Sequence, residues 1–265
     1  MTAPTAHDQQ IAVQLADAAD AITMATFRHT DLRISTKPDR TPVTEADHAV
    51  ESGLGDLLAQ IAPSDAVFGE EYGWRGEPSE RCWVIDPIDG TANYLRGVPV
   101  WATLIGLVVA GQPVLGMVTA PAMGRRWWNG PEGAWTSDPD GGVRALAVSA
   151  ISDPADASVS YSDAVGWPPG ALANLTRDVW RTRAFGDFWS HVLVAEGAVD
   201  VAAEPELAPW DVAALLPIVA AAGGATSGID GLPALTLGRD AFAVPAGLLT
   251  TNGDLHEPFV ARLNG

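Results

Sequence analysis

Residues 83–95, WVIDPIDGTANYL, constrain this chain more than any other stretch. An apolar run of the kind that forms a buried strand ends in Asp86 and Asp89, with Pro87 and Ile88 between them and Gly90-Thr91-Ala92-Asn93 following at once. Charge at the end of a buried strand is costly unless something neutralises it. Two more apolar segments end in acid: Val67-Phe68-Gly69 runs into Glu70-Glu71, and Pro209-Trp210 into Asp211. If these ends converge, four carboxylates meet and a divalent cation is their natural counter-charge. Carboxylate and carbonyl oxygens suit Mg2+ or Mn2+, and the lack of Cys and His in these segments speaks against zinc. Pro87 fixes the backbone just after Asp86, so the chain turns and Asp89 returns to the same cation, with the Ile88 carbonyl as a further hard ligand. Residues 90–93 then read as the first turn of a helix, whose N–H groups seat an anion. Carboxylates for metal beside an anion seat are what phosphate-ester hydrolysis needs; two metals about 3.5–4 Å apart can bind the phosphate, activate a water and stabilise the leaving oxygen.

Each piece alone has a plainer reading. Asp-Pro and Asp-Gly are turn pairs, Glu70-Glu71 suits a solvated loop, and Asp211 suits a helix N-cap; only the combination favours the chemistry. Haloacid-dehalogenase-type phosphatases, which use an aspartate nucleophile, keep one residue between their two aspartates. Here there are two, which reorients the second side chain on an extended chain and disfavours a covalent aspartyl-phosphate route.

Composition narrows the rest. A chain of 265 residues, 47% apolar and 18% charged, can bury a sizeable core. We expect a single domain over residues 1–265, with an N-terminal α+β half (1–144) carrying the metal loops and a C-terminal α/β half (145–265) carrying substrate recognition. The 33 acidic against 15 basic residues, a formal charge of −18, argue against a nucleic-acid partner and an anionic membrane surface; most of the excess serves solubility. The single cysteine, Cys82, precludes an intramolecular disulfide and fits a reducing cytoplasm. Beside Trp83 it reads as a packed, inert thiol. The opening MTAPTAHDQQ has no basic region followed by an apolar one, so no signal peptide is expected. The longest apolar run is about half the ~20 residues of a membrane span.

Periodicity places the motifs. Ile11, Leu15, Ala18, Ile22 and Ala25 share a helical face, predicting a helix to about Phe27. A short strand over 32–37 and a loop over 37–42 come next. Thr44 with Asp47 forms a capping-box pattern that opens a helix through Leu54, Leu57, Leu58 and Ile61. Strands are predicted at 66–68, 83–85, 101–109, 114–119, 125–129 and 134–136, with a turn at 137–142. The second half alternates: strands at 159–162, 181–185, 199–203 and 248–251, and helices at 172–179, 187–196, 209–222 and 255–263. These elements suggest an α+β layered sandwich.

The chain resembles the inositol monophosphatase superfamily of metal-dependent phosphatases over nearly its whole length. The resemblance rests on Gly69-Glu70-Glu71, on residues 86–94 (DPIDGTANY), on residues 210–214 (WDVAA), and on residues 41–47 (TPVTEAD). It implies an α-β-α-β-α sandwich of the inositol monophosphatase/fructose-1,6-bisphosphatase type. It implies two or three Mg2+ ions held by Glu70, Asp86, the Ile88 carbonyl, Asp89 and Asp211, with Mn2+ able to substitute. It implies that Thr91 and Glu70 orient the attacking water, that Asp47 assists Thr91 near the more weakly held metal, and that the Gly90 and Thr91 N–H groups hold phosphate. Water would attack phosphorus directly, with no phosphoenzyme. Asn93 is carried over as a local anchor on the substrate side, and a homodimer is the family's usual state.

Residues 185–214, with 125–135 (RRWWNGPEGAW) and 96–101 (RGVPVW), look most like the actinobacterial histidinol-phosphate phosphatases. That resemblance implies hydrolysis of L-histidinol phosphate, a step of histidine biosynthesis. Asp187 stands where inositol phosphatases carry a small hydroxyl or alanine, and Glu204 where the family contacts the leaving group. An acidic pair suits an alcohol bearing an ammonium and an imidazole. Asp187 can equally cap the helix after Gly186, and the two roles are compatible. Ala92 replaces a lysine found in some relatives, leaving less local positive charge. Trp101, Trp127, Trp128, Trp180 and Trp189 read as core or interface, and His48 and His191 as packed or solvent-facing. The alternatives are a phosphatase acting on inositol 1-phosphate or other small phosphomonoesters, and a non-catalytic regulator.

Overall fold

The computed structural model describes residues 4–29, 34–36, 42–77, 79–237 and 242–265. Five layers stack. The helices Ala6–Thr26 and Glu45–Ile61 cover one face of an eight-stranded sheet, and the short helices Pro209–Ala213 and Leu215–Ala221 cover the other. The helix Asp187–Ala195 shares this middle layer, packed on both Leu215–Ala221 and a five-stranded sheet. Ala171–Thr176 and His256–Asn264 close the far side. The expected α-β-α-β-α order is therefore the observed one.

From edge to edge, the strands of the large sheet are Val143–Ala145, Gly133–Ser137, Arg125–Gly130, Gln112–Ala120, Ala102–Val109, Arg81–Asp89, Ala66–Gly69 and Gly73–Arg75. Neighbours are antiparallel except Ala66–Gly69 with Arg81–Asp89. That parallel pair brings the ends of two acid-bearing segments to the same edge. Period-two alternation splits the central strands between cores: Trp83, Ile85, Ile105 and Leu107 face the first two helices, while Leu104, Val118 and Ala120 face the middle layer. The smaller sheet orders Arg181–Arg183, Ser158–Tyr161, Val201–Glu204, Leu248–Thr251 and Ala225–Ser227.

Several boundaries differ from expectation. The strand predicted over 83–85 runs as Arg81–Asp89 and contains both aspartates. The helix predicted over 209–222 is two, broken at Ala214; Pro217 has no N–H for the Ala213 carbonyl. The helix predicted over 172–179 ends at Thr176, and the strand over 181–185 at Arg183. Strands Gly73–Arg75, Val143–Ala145 and Ala225–Ser227 went unpredicted; at three residues each they carry too little alternation to read. The strand predicted over 32–37 is described only as Ile34–Thr36, and most of the predicted 37–42 loop lies outside the described residues.

Candidate active site

The Arg81–Asp89 strand explains how its aspartates come together. At odd spacing, Asp86 and Asp89 would point to opposite faces of a regular strand. The register shows one extra residue: Asp86 pairs with Leu104 and Asp89 with Ala102. Such a bulge bends the strand and re-aims the side chains beyond it. It sits at Pro87, which has no N–H to give the ladder, and the Pro87 carbonyl is held by the Thr103 hydroxyl at 2.8 Å. The Ile88 N–H donates to Asp86 Oδ1 at 3.0 Å, fixing that carboxylate. Carboxylate oxygens of Asp86, Asp89 and Asp211 consequently lie within 4.8 Å of one another.

Asp211 arrives from the opposite direction. It occupies the first turn of Pro209–Ala213, and its Oδ2 accepts the Ala208 N–H at 2.7 Å. Capping and membership of the cluster thus coexist. The helix can come this close because the sheet beneath it is bare: Gly106 and Gly116 are cross-strand partners. A Cβ on Gly116 would lie 1.9 Å from the Ala214 carbonyl oxygen, and one on Gly106 3.0 Å from Ala213.

Burial and mutual repulsion raise the cluster's proton affinity. Asp86 lies well above the ordinary carboxylate range, first because it is buried, then because Glu70, Asp89 and Asp211 face it. Asp89 is raised by burial and by Asp187 and Asp211. Hard oxygen donors that are buried or half-buried, convergent and mutually repelling fit a divalent cation of the Mg2+ or Mn2+ kind.

Thr91 comes directly after Gly90, whose φ of +82° makes the abrupt entry into the helix Thr91–Leu95. The Thr91 hydroxyl lies 2.9 Å from the Ile88 carbonyl and 3.3 Å from Asp47 Oδ1. Its one proton goes to either acceptor, leaving oxygen lone pairs for another donor. Asp47 is buried, and its other oxygen takes the Thr44 N–H at 2.8 Å and the Thr44 hydroxyl at 2.6 Å; the capping box read from the sequence is thereby also a support for Thr91.

The carboxylate cluster and Thr91 line a cavity of about 790 Å³, with Asp47 outside the lining. Glu70, Asp86, Ile88, Asp89, Gly90, Thr91, Asn93 and Asp211 line it together with Phe185 and Asp187. Asn93 donates its amide hydrogens to the Val100 carbonyl at 2.9 Å and to Asp187 Oδ2 at 3.2 Å. Gly186, the N-cap of the Asp187–Ala195 helix, has no side chain with which to cap it. Asp89 does so instead, its Oδ2 accepting the Phe188 N–H at 2.7 Å. Glu204 is not in the lining: it ends the fully buried strand Val201–Glu204 and lies 3.6 Å from the buried His191. Its charge, after burial, is the main force raising Asp187 to about 7. The lining carboxylates outside the Glu70, Asp86, Asp89 and Asp211 group are, besides Asp187, Asp163 and Glu206, neither of which the sequence pattern singled out. The available signal was position: Glu206 is the first acid beyond the end of a buried strand, where side chains regain access to solvent.

A carboxylate cluster able to hold a cation beside a helix's first turn, in a layered sandwich, is the arrangement of a metal-dependent phosphomonoester hydrolase. Known proteins of similar sequence and fold agree. The model of the inositol monophosphatase family matches residues 6–264. A histidinol-phosphatase of Streptomyces coelicolor is 49% identical over 97% of this chain and 97% of its own length. One from Mycobacterium tuberculosis is 47% identical over 97% of this chain and 98% of its own. The extragenic suppressor protein suhB of Bartonella henselae superposes with a TM-score of 0.83 at 26% identity, covering 96% of this chain and 97% of that one. The chain belongs to the inositol monophosphatase family. It is a phosphomonoesterase.

Proposed function

We propose that this enzyme hydrolyses L-histidinol phosphate to L-histidinol and phosphate. The observation that carries the substrate is the further acid in the cavity lining: Asp187, Asp163 and Glu206 line it, with Glu204 behind. A polyol would meet needless negative charge there, whereas an ammonium and an imidazolium are matched by it. The two histidinol-phosphatases at 47–49% identity point the same way. The assay is phosphate release, with and without Mg2+, on L-histidinol phosphate and inositol 1-phosphate side by side. A higher kcat/KM on histidinol phosphate is expected; equal or better efficiency on inositol 1-phosphate would overturn the assignment.

Glu70, Asp86, the Ile88 carbonyl, Asp89 and Asp211 are the proposed holders of Mg2+, with Mn2+ as a substitute. Bound there, the ions supply charge stabilisation to the phosphoryl oxygens and acidify water. The chain's own part comes from its geometry. With its proton given to Ile88 O or Asp47, the Thr91 hydroxyl accepts a hydrogen bond from the attacking water. Together with Glu70 it orients that water towards phosphorus. The Gly90 and Thr91 N–H groups, which as first-turn donors have no intrahelical acceptor, hold the phosphate. Asn93 holds Asp187 in place for the alcohol. A homodimer in the cytoplasm, with a place in histidine biosynthesis, completes the proposal; the one cysteine, Cys82, is buried, and among the described residues no helix is long and apolar enough to cross a membrane.

A further inference from the structure

Glu51 is a buried carboxylate that the hydrolytic chemistry leaves unused. It is fully inaccessible to solvent, on the Glu45–Ile61 helix. Its two oxygens divide their work: Oε2 accepts the Glu71 N–H at 2.6 Å and Oε1 the Tyr72 N–H at 2.8 Å. On the other side of Glu70, Gly69 leaves the space these oxygens occupy, since a Cβ there would lie 2.1 Å from Glu51 Oε1. The backbone on both flanks of Glu70 is thus moulded on one side chain. Burying an ionised carboxylate for two backbone hydrogen bonds is expensive, and a polar neutral residue could satisfy one of them more cheaply.

The helix that carries Glu51 carries Asp47 one turn earlier, on the same face at i, i+4 spacing. Asp47 reaches the Thr91 hydroxyl. The far end of the Glu70 hairpin is also docked on this helix. Arg75 bonds Asp56 at 3.1 Å and the Ser52 carbonyl at 3.4 Å, lying across Gly55, where a Cβ would be 2.0 Å from its Nη1. One helix face therefore fixes both Thr91 and the turn that presents Glu70.

We propose that Glu51 is a positioning residue: by clamping the turn after Glu70 it sets that carboxylate's reach to the cation and its separation from Thr91. The inference rests on reading Glu70 as a metal ligand. It is tested on the full-length, metal-free protein by calorimetric titration with Mn2+ alone, comparing wild type, Glu51→Gln, Glu70→Gln and the double variant. Glutamine keeps the shape but turns an N–H2 towards a backbone N–H. Glu51→Gln should weaken Mn2+ binding roughly 10–100-fold and lower kcat on the phosphoester with KM little changed. In the double variant it should add little to Glu70→Gln, because both changes act through one ligand. Wild-type Mn2+ affinity in folded Glu51→Gln, or fully additive losses, overturns the proposal. Unchanged affinity in Glu70→Gln itself defeats the ligand reading first, and the proposal with it. Should circular dichroism show Glu51→Gln unfolded, Glu51→Asp is read by the same criteria; it keeps the charge but is too short to reach both N–H groups.

Discussion

Asp187 carries more constraint than any other single residue of the site. It holds φ at +49°, the left-handed region that side-chain-bearing residues seldom occupy, directly after Gly186 at +74°. Such strain persists only where the surroundings demand it, and here Asn93 and the cavity do. Asp187→Ser should cost about 2 kcal/mol or more of transition-state binding for L-histidinol phosphate and far less for inositol 1-phosphate. Equal losses, measured as kcat/KM on both esters, would remove the residue from cation recognition. The same carboxyl gives a pH signature. Burial, then Glu204, Asp211 and Asp163, lift it from 3.8 to about 7 in the folded protein. As pH rises through 4 the unfolded chain gives up this proton while the folded one keeps it, so stability falls until about pH 7 and is flat above. Metal-free Asp187→Asn lacks that loss. Its stability relative to wild type should climb between about pH 4 and pH 7 in denaturant titrations, and a flat difference would contradict the assignment. Cys82, by contrast, is inert: burial and then Asp65 push its thiol up to about 12, as its apolar setting in the sequence suggested.

At the scale of elements, the placement of Asp211 depends on two glycines opposite each other in the sheet. Gly116→Ala forces a Cβ into the Ala214 carbonyl and should destabilise by roughly 1–3 kcal/mol. It should also weaken Mg2+ binding by displacing the Pro209–Ala213 helix, with Gly106→Ala milder on both counts. Thermal unfolding and metal titration check this; an unshifted melting point for Gly116→Ala would mean that the helix yields freely. Nothing in the sequence singled out these glycines. Their reason is a partner about 100 residues away, and Gly106 within an apolar strand looks like any other small residue. What was legible was whatever repeats locally or forms a dense motif: the Leu54–Leu58–Ile61 helix, the alternating strands, the Asp86–Asn93 run. The bulge at Pro87 was half legible. The proline announced a bend, but only the pairing with Ala102 and Leu104 shows that the bend lies inside the strand. The position of Glu204 behind the cavity lining was hidden for a related reason, since the sequence does not say that Val201–Glu204 is central in its sheet and buried throughout. Glu51 was hidden among the polar residues of an amphipathic helix.

For the molecule as a whole, a formal charge of −18 opposes every phosphate ester that approaches. Raising ionic strength from about 0.01 to about 0.15 M shortens the Debye length to ~8 Å and should raise kcat/KM on inositol 1-phosphate more than on histidinol phosphate, whose own cations already offset the repulsion. A stronger response from histidinol phosphate would count against the acidic pocket. Mg2+ at 100 times its Kd should stabilise the fold by about 2.7 kcal/mol, an effect abolished by chelator and diminished in Asp86→Asn. The contact between the Phe188 amide and Asp89 joins the acidic cluster to the Asp187–Ala195 helix. Asp89 belongs to the acidic cluster and its Oδ2 also anchors the Asp187–Ala195 helix, so the cluster and that helix cannot drift independently. Grafting a different alcohol preference onto this scaffold by rebuilding residues 185–188 should therefore disturb turnover itself, and successful redesigns would leave that amide in place.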